Sequence, residues 1–334
     1  MSTSTHWRGT LGRSAAPVET YLFGTIALVA IVTFAVGGAA PALGVQVVVL
    51  AVLAAVLGLP HGALDPLIAR RIGLWRGPVS FAVFNLGYLG AVAAVIGIWI
   101  LAPGPSLVVF LAVSAVHFGA DWNADRAHWL RVVAGIALLS LPSLAHQDEV
   151  SGLYETLAPG AGSAIAGAQF WIAPVVLAGM LVGAVLAARR GRSWESVELT
   201  LAAVLALVAP PLVFFAIYFC ALHSARHLRE GFAAESRARL TVGIVVLYTV
   251  VPILAAAGTL FAASQESSLD ARILQVVFIG LAGLTVPHMI LVALDARHST
   301  RTVNLTASRG WIRRSGHRRA GESPSQSPDR RNSP

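Results

Sequence analysis

The run LTVGIVVLYTVVPILAAAGTLFA, from Leu240 to Ala262, contains 23 residues and no charged side chain. About 20 mainly apolar residues are enough for an α-helix to cross the hydrocarbon core of a bilayer. Similar runs recur along the 334-residue chain, in which 56% of the residues are hydrophobic and 12% are charged. Soluble domains carry about 25% charged residues. The sequence therefore predicts an all-α, polytopic membrane bundle and argues against a soluble or disordered protein.

The apolar runs predict eight to ten transmembrane helices, and the arginine pattern favours ten. Arginine gathers in the cytoplasmic loops of membrane proteins. Connections that contain Arg, such as 70–76 and 189–192, alternate here with connections that contain none, such as 37–42 and 263–270. Ten spans with both termini in the cytoplasm reproduce this alternation. The predicted spans are Tyr21–Val36, Leu43–Pro60, Val79–Leu101, Leu107–Ala120, Trp129–Leu144, Phe170–Ala188, Val197–Ala209, Leu212–Leu228, Leu240–Ala262 and Ile273–Leu294.

The seventh and eighth spans meet at Pro210-Pro211. This pair can form a tight turn between two helices or a kink within one broken helix, because proline cannot continue the hydrogen bonding of a helix. The sequence leaves both alternatives open.

Three regions are predicted along the chain. Residues 1–19 form a polar cytoplasmic segment, residues 20–297 form the transmembrane domain that holds the candidate site, and residues 298–334 form a disordered basic cytoplasmic tail. The first span follows the polar segment directly and is expected to be an uncleaved anchor. The tail is interpreted as resting on anionic lipid rather than binding nucleic acid. Residues 145–169 are expected to form the longest external loop.

Two features of the composition exclude whole classes of site. Cys220 is the only cysteine, so the chain can form no intrachain disulfide and no cysteine-based zinc site. All 24 basic residues are Arg. The absence of Lys excludes a retinal Schiff base within this chain and a phosphate-binding loop of the kind that needs lysine.

Histidines stand at matching depth in several spans. His61 ends the second span, His117 ends the fourth, His223 and His227 end the eighth, and His288 lies in the tenth. All five are predicted toward the cytoplasmic ends of even-numbered helices, where they can converge in one layer. Ionisable groups inside a membrane are costly and mark functional sites. The pattern predicts a metal site.

The spacing of these residues fits metal binding. His223 and His227 are four residues apart, which places both imidazoles on one helical face. Asp65 and Asp121 follow the first two histidines at the same spacing. A carboxylate beside a metal-bound histidine commonly accepts the other ring N–H and fixes the tautomer. Each aspartate can serve its own imidazole or a neighbour's, or it can simply be a solvated helix end.

The ligand type limits the choice of metal. A set of nitrogen ligands without thiolate suits iron, copper or zinc. Four histidines would leave one or two open positions on an octahedral iron, where dioxygen can bind. A zinc hydrolase would instead use three ligands and an acid–base carboxylate, and Asp65 or Asp121 is available for that role.

Four motifs resemble those of the Brp/Blh family of membrane β-carotene 15,15'-dioxygenases. They occur in family order and span about 230 residues of the helical core. The N-terminal segment and the Arg-rich tail lie outside the resemblance. The motifs are PHGALD at Pro60–Asp65, HFGAD at His117–Asp121, HSARH at His223–His227 and PHM at Pro287–Met289.

The resemblance implies a non-haem Fe(II) enzyme that uses O2 to split the central double bond of β-carotene, or of a related carotenoid, into two retinals. The family's proposed catalytic iron ligands fall on His61, His117, His223 and His227, and a further family histidine falls on His288. Retinal would then leave into the lipid bilayer or pass to a separate opsin, since the chain has no Lys.

Aromatic residues near the histidines are candidates for lining a carotenoid pocket. The alternative for each is ordinary packing or an interfacial aromatic belt. Asn85 is an unusual polar residue within the third span, and it can hydrogen-bond across helices or touch the site. The candidate lining residues are Phe84, Tyr88, Phe118, Phe215 and Tyr218.

Two other classes of function compete with this interpretation. Membrane desaturases and hydroxylases with a di-iron centre also carry histidines at cytoplasmic helix ends, but they use more of them and in clusters such as HxxHH. A non-enzymatic bundle could hold haem between facing histidines, or transport a solute through a polar site at the midplane. The position of the histidines toward one face argues against the transporter.

Overall fold

The computed structural model describes residues 16–122, 127–235, 238–262 and 267–319, with side chains in the last range described as far as His298. Residues 1–15 of the predicted N-terminal segment and residues 320–334 of the predicted tail lie outside the described residues. Within the described ranges all regular structure is helical. The predicted all-α class is therefore confirmed.

The helices follow one another with short connections. The first half of the chain forms α1 Val18–Ala35, α2 Leu43–Leu53, α3 Leu59–Gly62, α4 Asp65–Arg71, α5 Pro78–Leu101, α6 Pro103–Gly119 and α7 His128–Ala145. The second half forms α8 Gln147–Leu157, α9 Gly162–Arg189, α10 Ser193–Val208, α11 Pro211–Ile217, α12 Ala225–Ala233, α13 Ala238–Ala262 and α14 Leu269–Arg319. Two π-helical turns, Ala54–Gly58 and Tyr218–Ser224, join α2 to α3 and α11 to α12.

Each of the ten predicted apolar runs coincides with a helical segment. In the described part of the chain, eight helical segments are long and apolar enough to cross a membrane. The two that fall short are α6, with 17 residues, and α10, with 16. Both pack inside the bundle, α6 against α7 and α10 against α1, α7 and α9. Neighbouring helices cover one face of each, and on its covered face α10 buries the polar residues Glu195 and Glu198.

The outer helices face the surrounding lipid. Trp99 is the only buried residue in the 24-residue helix α5. The exposed faces of α5 and α13 carry large apolar side chains, including Leu86 at 71% exposure and Leu254 at 64%. In a bilayer the solvent is as apolar as leucine, so this surface needs no protein to cover it.

The structure resolves the ambiguity at Pro210-Pro211. Helix α10 ends at Val208, the backbone of Ala209 and Pro210 is extended with ψ near 150° and 143°, and α11 begins at Pro211. The pair therefore separates two helices.

Two predicted irregular regions contain helix. The expected external loop 145–169 contains α8 and the start of α9. Helix α8 is amphipathic: it buries Val150 and Leu157 and carries Asp148 and Glu149 in its first turn, where they complement the helix dipole. At the other end of the chain, α14 continues across the predicted domain boundary at residue 298 and ends at Arg319.

Candidate metal centre

The five histidines of the sequence motifs meet in one layer of the bundle. The ring centroid of His117 lies 4.6 Å from that of His223, 5.2 Å from that of His288 and 5.6 Å from that of His227. The ring of His61 lies 5.2 Å from His223 and 5.5 Å from His288. Helices that are far apart in sequence thus direct five imidazoles to a common centre.

A local irregularity positions His61. Pro60 has no N–H to donate and its ring clashes with the carbonyl four residues earlier, and the π-helical turn Ala54–Gly58 lies at that point. Such turns are frequent at functional sites. Gly58 allows the close approach of the second π-helical segment, because a Cβ there would lie 2.6 Å from the Phe219 ring.

The second π-helical turn, Tyr218–Ser224, contains His223, and His227 follows one turn later in α12. The imidazole of His223 is fully buried, and its ring centroid lies 4.6 Å from that of His227. The predicted placement of both rings on one face is confirmed by this distance.

Two glycines bring His117 to the centre. A Cβ on Gly119 would lie 2.2 Å from the carbonyl oxygen of Arg131, and one on Gly135 would lie 1.8 Å from the carbonyl oxygen of Ala115. Only glycine permits this backbone-to-backbone approach of α6 and α7. The close packing fixes the end of α6 that carries His117 and the following Asp121.

Asp121 orients His223. The Nδ1–H of His223 donates to the Asp121 carboxylate at 2.9 Å, and the Tyr218 hydroxyl donates to its Oδ2 at 2.5 Å. Nε2 of His227 lies 3.3 Å from Asp121 Oδ1. Asp121 therefore accepts hydrogen bonds from the side chains of both His223 and Tyr218.

Asp65 orients His288 in the same way. The Nδ1–H of His288 donates to Asp65 Oδ1 at 2.6 Å, and the Tyr88 hydroxyl donates to Asp65 Oδ2 at 2.8 Å. Asp65 and Asp121 are 1% and 8% exposed, so neither is a solvated helix end. Each serves the imidazole of another helix, not the histidine four residues before it.

The remaining ring nitrogens fit a metal ion. With Nδ1 engaged by a carboxylate, the buried Nε2 atoms of His223 and His288 have no hydrogen-bond partner. His61 contacts the Gly58 carbonyl and the Ser224 hydroxyl through Nδ1, which frees its Nε2 as well. One ligand atom each from His61, His117 and His223 lie within 4.8 Å of one another. Buried acceptors left unpaired are costly, and a metal ion would satisfy them together.

An apolar cavity of about 370 Å³ adjoins the histidines. His61, His117 and His288 form part of its wall. Leu89, Leu247 and Val251 line the cavity and are also more than half exposed on the outer surface. The cavity therefore opens toward lipid between α5 and α13.

Three of the five predicted lining residues face this cavity: Tyr88, Phe118 and Phe215. Tyr218 lies outside the lining because it is 1% exposed and its hydroxyl bonds Asp121. Phe84 also lies outside it, and packs against Tyr88 with ring centroids 5.9 Å apart.

The polar residue Asn85 does line the cavity, and it also bonds across helices. Its Oδ1 accepts a hydrogen bond from the Tyr248 hydroxyl of α13 at 2.5 Å, and its Nδ2 donates to the Phe81 carbonyl. The sequence analysis identified Asn85 as an unusual polar residue but did not predict that Tyr248 is its partner.

A buried ion-pair network below the histidine layer escaped the sequence analysis. Arg226 is 6% exposed; it donates to Glu198 at 2.6 Å, to Glu19 at 3.4 Å and to the backbone carbonyl of Asp121 at 2.7 Å. Trp122 Nε1 donates to Glu198 at 3.1 Å. The network thus ties α1 and α10 to the turn that carries Asp121. Glu198, an acidic residue within a predicted span, was the available signal.

Comparison with known proteins agrees with the motifs. Residues 52–295 match the family model described as "Beta-carotene 15,15'-dioxygenase". A relative from an uncultured marine bacterium, 66A03, named beta-carotene 15,15'-dioxygenase, is 34% identical over 260 residues, which cover 73% of this chain and 92% of the relative. A Halobacterium salinarum protein named probable beta-carotene 15,15'-dioxygenase Blh is 26% identical over 212 residues, 54% of this chain and 61% of that protein. No solved structure matches. The family match spans the whole histidine layer, and the chain belongs to the β-carotene 15,15'-dioxygenase family.

Proposed function

We propose that this protein cleaves the central double bond of β-carotene with O2 and releases two retinals. The observation that carries the proposal is the layer of five histidines, two of them held by buried aspartates, beside an apolar cavity that opens to lipid. β-Carotene dissolves in the bilayer core, so it can enter such a cavity without crossing water.

The residues proposed to hold Fe(II) are His61, His117, His223 and His227, with His288 as a fifth candidate. Close packing fixes the three helical elements that carry the first four histidines. His288, like His223, donates its Nδ1–H to a buried carboxylate. When bound, iron at an all-nitrogen site supplies activation of O2. The donor set contains no thiolate and the buried ring nitrogens are available, so the residues present fit this metal.

The protein's own side chains orient the imidazoles and the polyene and exclude water from the site. Asp121 and Asp65 hold the Nδ1 protons of two imidazoles and so fix the tautomers that leave Nε2 for the metal. Tyr88, Phe118 and Phe215 hold the polyene against the histidine layer. Positioning of the reacting bond can supply a large share of a rate enhancement, and the apolar walls keep water out.

The reaction balances without an external reductant. The carbon–carbon double bond breaks, each of its carbons gains one oxygen atom of O2, and two aldehydes form. The electrons that reduce O2 come from the broken bond. Retinal then leaves into the bilayer or passes to a separate opsin.

We further propose that the protein lies in the cell membrane with both termini in the cytoplasm. The arginine alternation supports this orientation. The histidine layer then lies toward the cytoplasmic side, near Arg71, which pairs with Asp295 at 2.7 Å at the same end of the bundle.

The test is the purified full-length chain in detergent, supplied with Fe(II), O2 and β-carotene. Retinal should form without NADH, with one iron per chain by metal analysis. His223→Ala should lose both iron and activity. The control His146→Ala should keep both, because His146 follows the end of α7 that is remote from the histidine layer. A strict NADH requirement or two irons per chain would point to a desaturase-like enzyme instead, and apocarotenals as main products would refute central cleavage.

A further inference from the structure

A second apolar cavity extends the first one away from the lipid opening. It has a volume of about 80 Å³ and is lined by residues of α6, α7, α8, α11 and α14. Phe110, Ser114, Phe118 and Phe215 line both cavities, so these side chains form the neck between them. We call the second cavity the inner arm; its wall includes Leu107, Leu138, Leu153, Leu157, Phe214 and Phe278.

The wall of the inner arm continues from the histidine layer along α6. One stripe of this helix, at helical spacing, contains Leu107, Phe110, Ser114 and His117. The ten residues from Leu107 to His117 correspond to about 15 Å at 1.5 Å per residue. A single straight helix face therefore leads from the candidate metal ligand to the far end of the inner arm.

Helix α14 repeats this arrangement on the opposite wall. Phe278 lines the inner arm, Leu281 and Thr285 line the first cavity, and His288 belongs to the histidine layer. Phe278 and His288 are again ten residues apart, or about 15 Å. Two helices thus give the same distance from the layer to the end of the arm.

Helix α8 closes the far end. Leu153, Tyr154 and Leu157 line the inner arm from this side. The helix is held in place by hydrogen bonds at both flanks: Trp99 Nε1 donates to the Leu157 carbonyl at 3.0 Å, and the Tyr154 hydroxyl donates to Gln169 at 3.0 Å. The first cavity is open to lipid, whereas the inner arm ends against a fixed wall.

We propose that the inner arm receives one half of the symmetrical polyene and that α8 is the stop that places its central double bond at the histidine layer. The proposal rests on the proposed carotenoid cleavage. A hydrocarbon offers no polar group by which to fix its position, so the register must come from length and shape. A chain that enters end-first from the lipid opening passes the neck, for which Phe110 and Phe215 rotate, and stops at α8.

Filling the closed end tests the stop. Leu153→Trp should lower kcat/KM for β-carotene about 10- to 200-fold, the range for steric change in an apolar pocket. An apocarotenal that is shortened at one end should lose much less, because its short end still fits. The matched control is Val109→Trp, because Val109 is 57% exposed on the lipid side of α6 and is not among the residues that line the first cavity or the inner arm. It should keep wild-type values with both substrates.

Equal losses with both substrates, or a loss confined to Val109→Trp, would overturn the proposal. Should the wild type make no retinal, binding of β-carotene followed by its visible absorption separates the two ideas. If Leu153→Trp weakens binding and Val109→Trp does not, the proposed role of the inner arm stands and the proposed cleavage reaction is refuted. If neither variant changes binding, both the inner arm and the cleavage reaction are refuted.

Lengthening the arm gives an independent readout. Leu107→Ala and Leu157→Ala, at buried positions of the closed end, should let the chain slide deeper and add apocarotenals of unequal length to the retinal. Val108→Ala, at a half-exposed position that lines neither the first cavity nor the inner arm, should give retinal alone. Retinal as the sole product of all three variants would show that α8 does not set the cleavage position.

Discussion

Asp65 and His288 are joined by a 2.6 Å hydrogen bond although 223 residues separate them in the chain. Both are buried, and Tyr88 donates to the second carboxylate oxygen. The bond makes His288 equivalent to His223, which Asp121 holds in the same way. His288 thus has the features of a metal ligand, and Asp65 is as much a part of the centre as Asp121.

Asp65→Asn should lower the affinity for Fe(II) about 10- to 100-fold, the usual effect of losing a partner that orients a ligand. The amide offers a neutral acceptor in place of a carboxylate and holds the imidazole less firmly. Iron retained by the purified variant, measured against a chelator of known affinity, checks this outcome.

The matched control for that variant is Asp295→Asn. Asp295 also lies in α14 but pairs with the partly exposed Arg71. Its replacement should leave the iron affinity unchanged. An equal loss in both variants would mean that Asp65 acts through general stability rather than through His288.

Arg226→Gln should destabilise the protein by about 3–5 kcal/mol, the cost of leaving buried charges without their partner. Glu19 and Glu198 would both lose their ion pair with Arg226, and the backbone carbonyl of Asp121 would lose its hydrogen-bond donor. Denaturant titration in detergent measures the free energy of unfolding.

Arg229→Gln provides the comparison for the network. Arg229 also pairs with Glu19, at 2.9 Å, but its side chain is 44% exposed. Exposed pairs contribute at most about 1 kcal/mol. Similar losses in the two variants would contradict the assignment of Arg226 as the buried centre of the network.

Local sequence patterns predicted the helices, the five histidines and their common depth, because apolar runs and spacing are properties of short segments. They did not show which aspartate serves which imidazole. That pairing depends on which helices are neighbours in space, and α14 lies against α4 and α5. Helix α8 was missed for another reason: with 11 residues and a polar face, it has neither the length nor the composition of a span.

The two short helices make the topology testable. Reporter fusions at Gly77 and Asp121 should both report the cytoplasm, because α5 and α6 together cross twice. An α6 that failed to cross would put these two positions on opposite sides. Fusions at Gln147, where α8 begins, and at Arg190, just after α9, should report the outside and the cytoplasm respectively. Both on one side would refute the proposed orientation.

The turn between α8 and α9 should loosen in acid. Glu155 accepts hydrogen bonds from the backbone N–H and hydroxyl of Ser163 and from the N–H of Gly160, and these bonds lower its pKa. A carboxyl with a lowered folded pKa stabilises the structure above its unfolded value, about 4.3, and the contribution is lost as pH falls through the folded pKa. Hydrogen-exchange protection at Gly160 and Ser163 should therefore drop below about pH 4.

Glu155→Ala should abolish this pH dependence, and Glu149→Ala, on the same helix, should preserve it. Protection that falls identically in all three proteins would assign the acid response to another group.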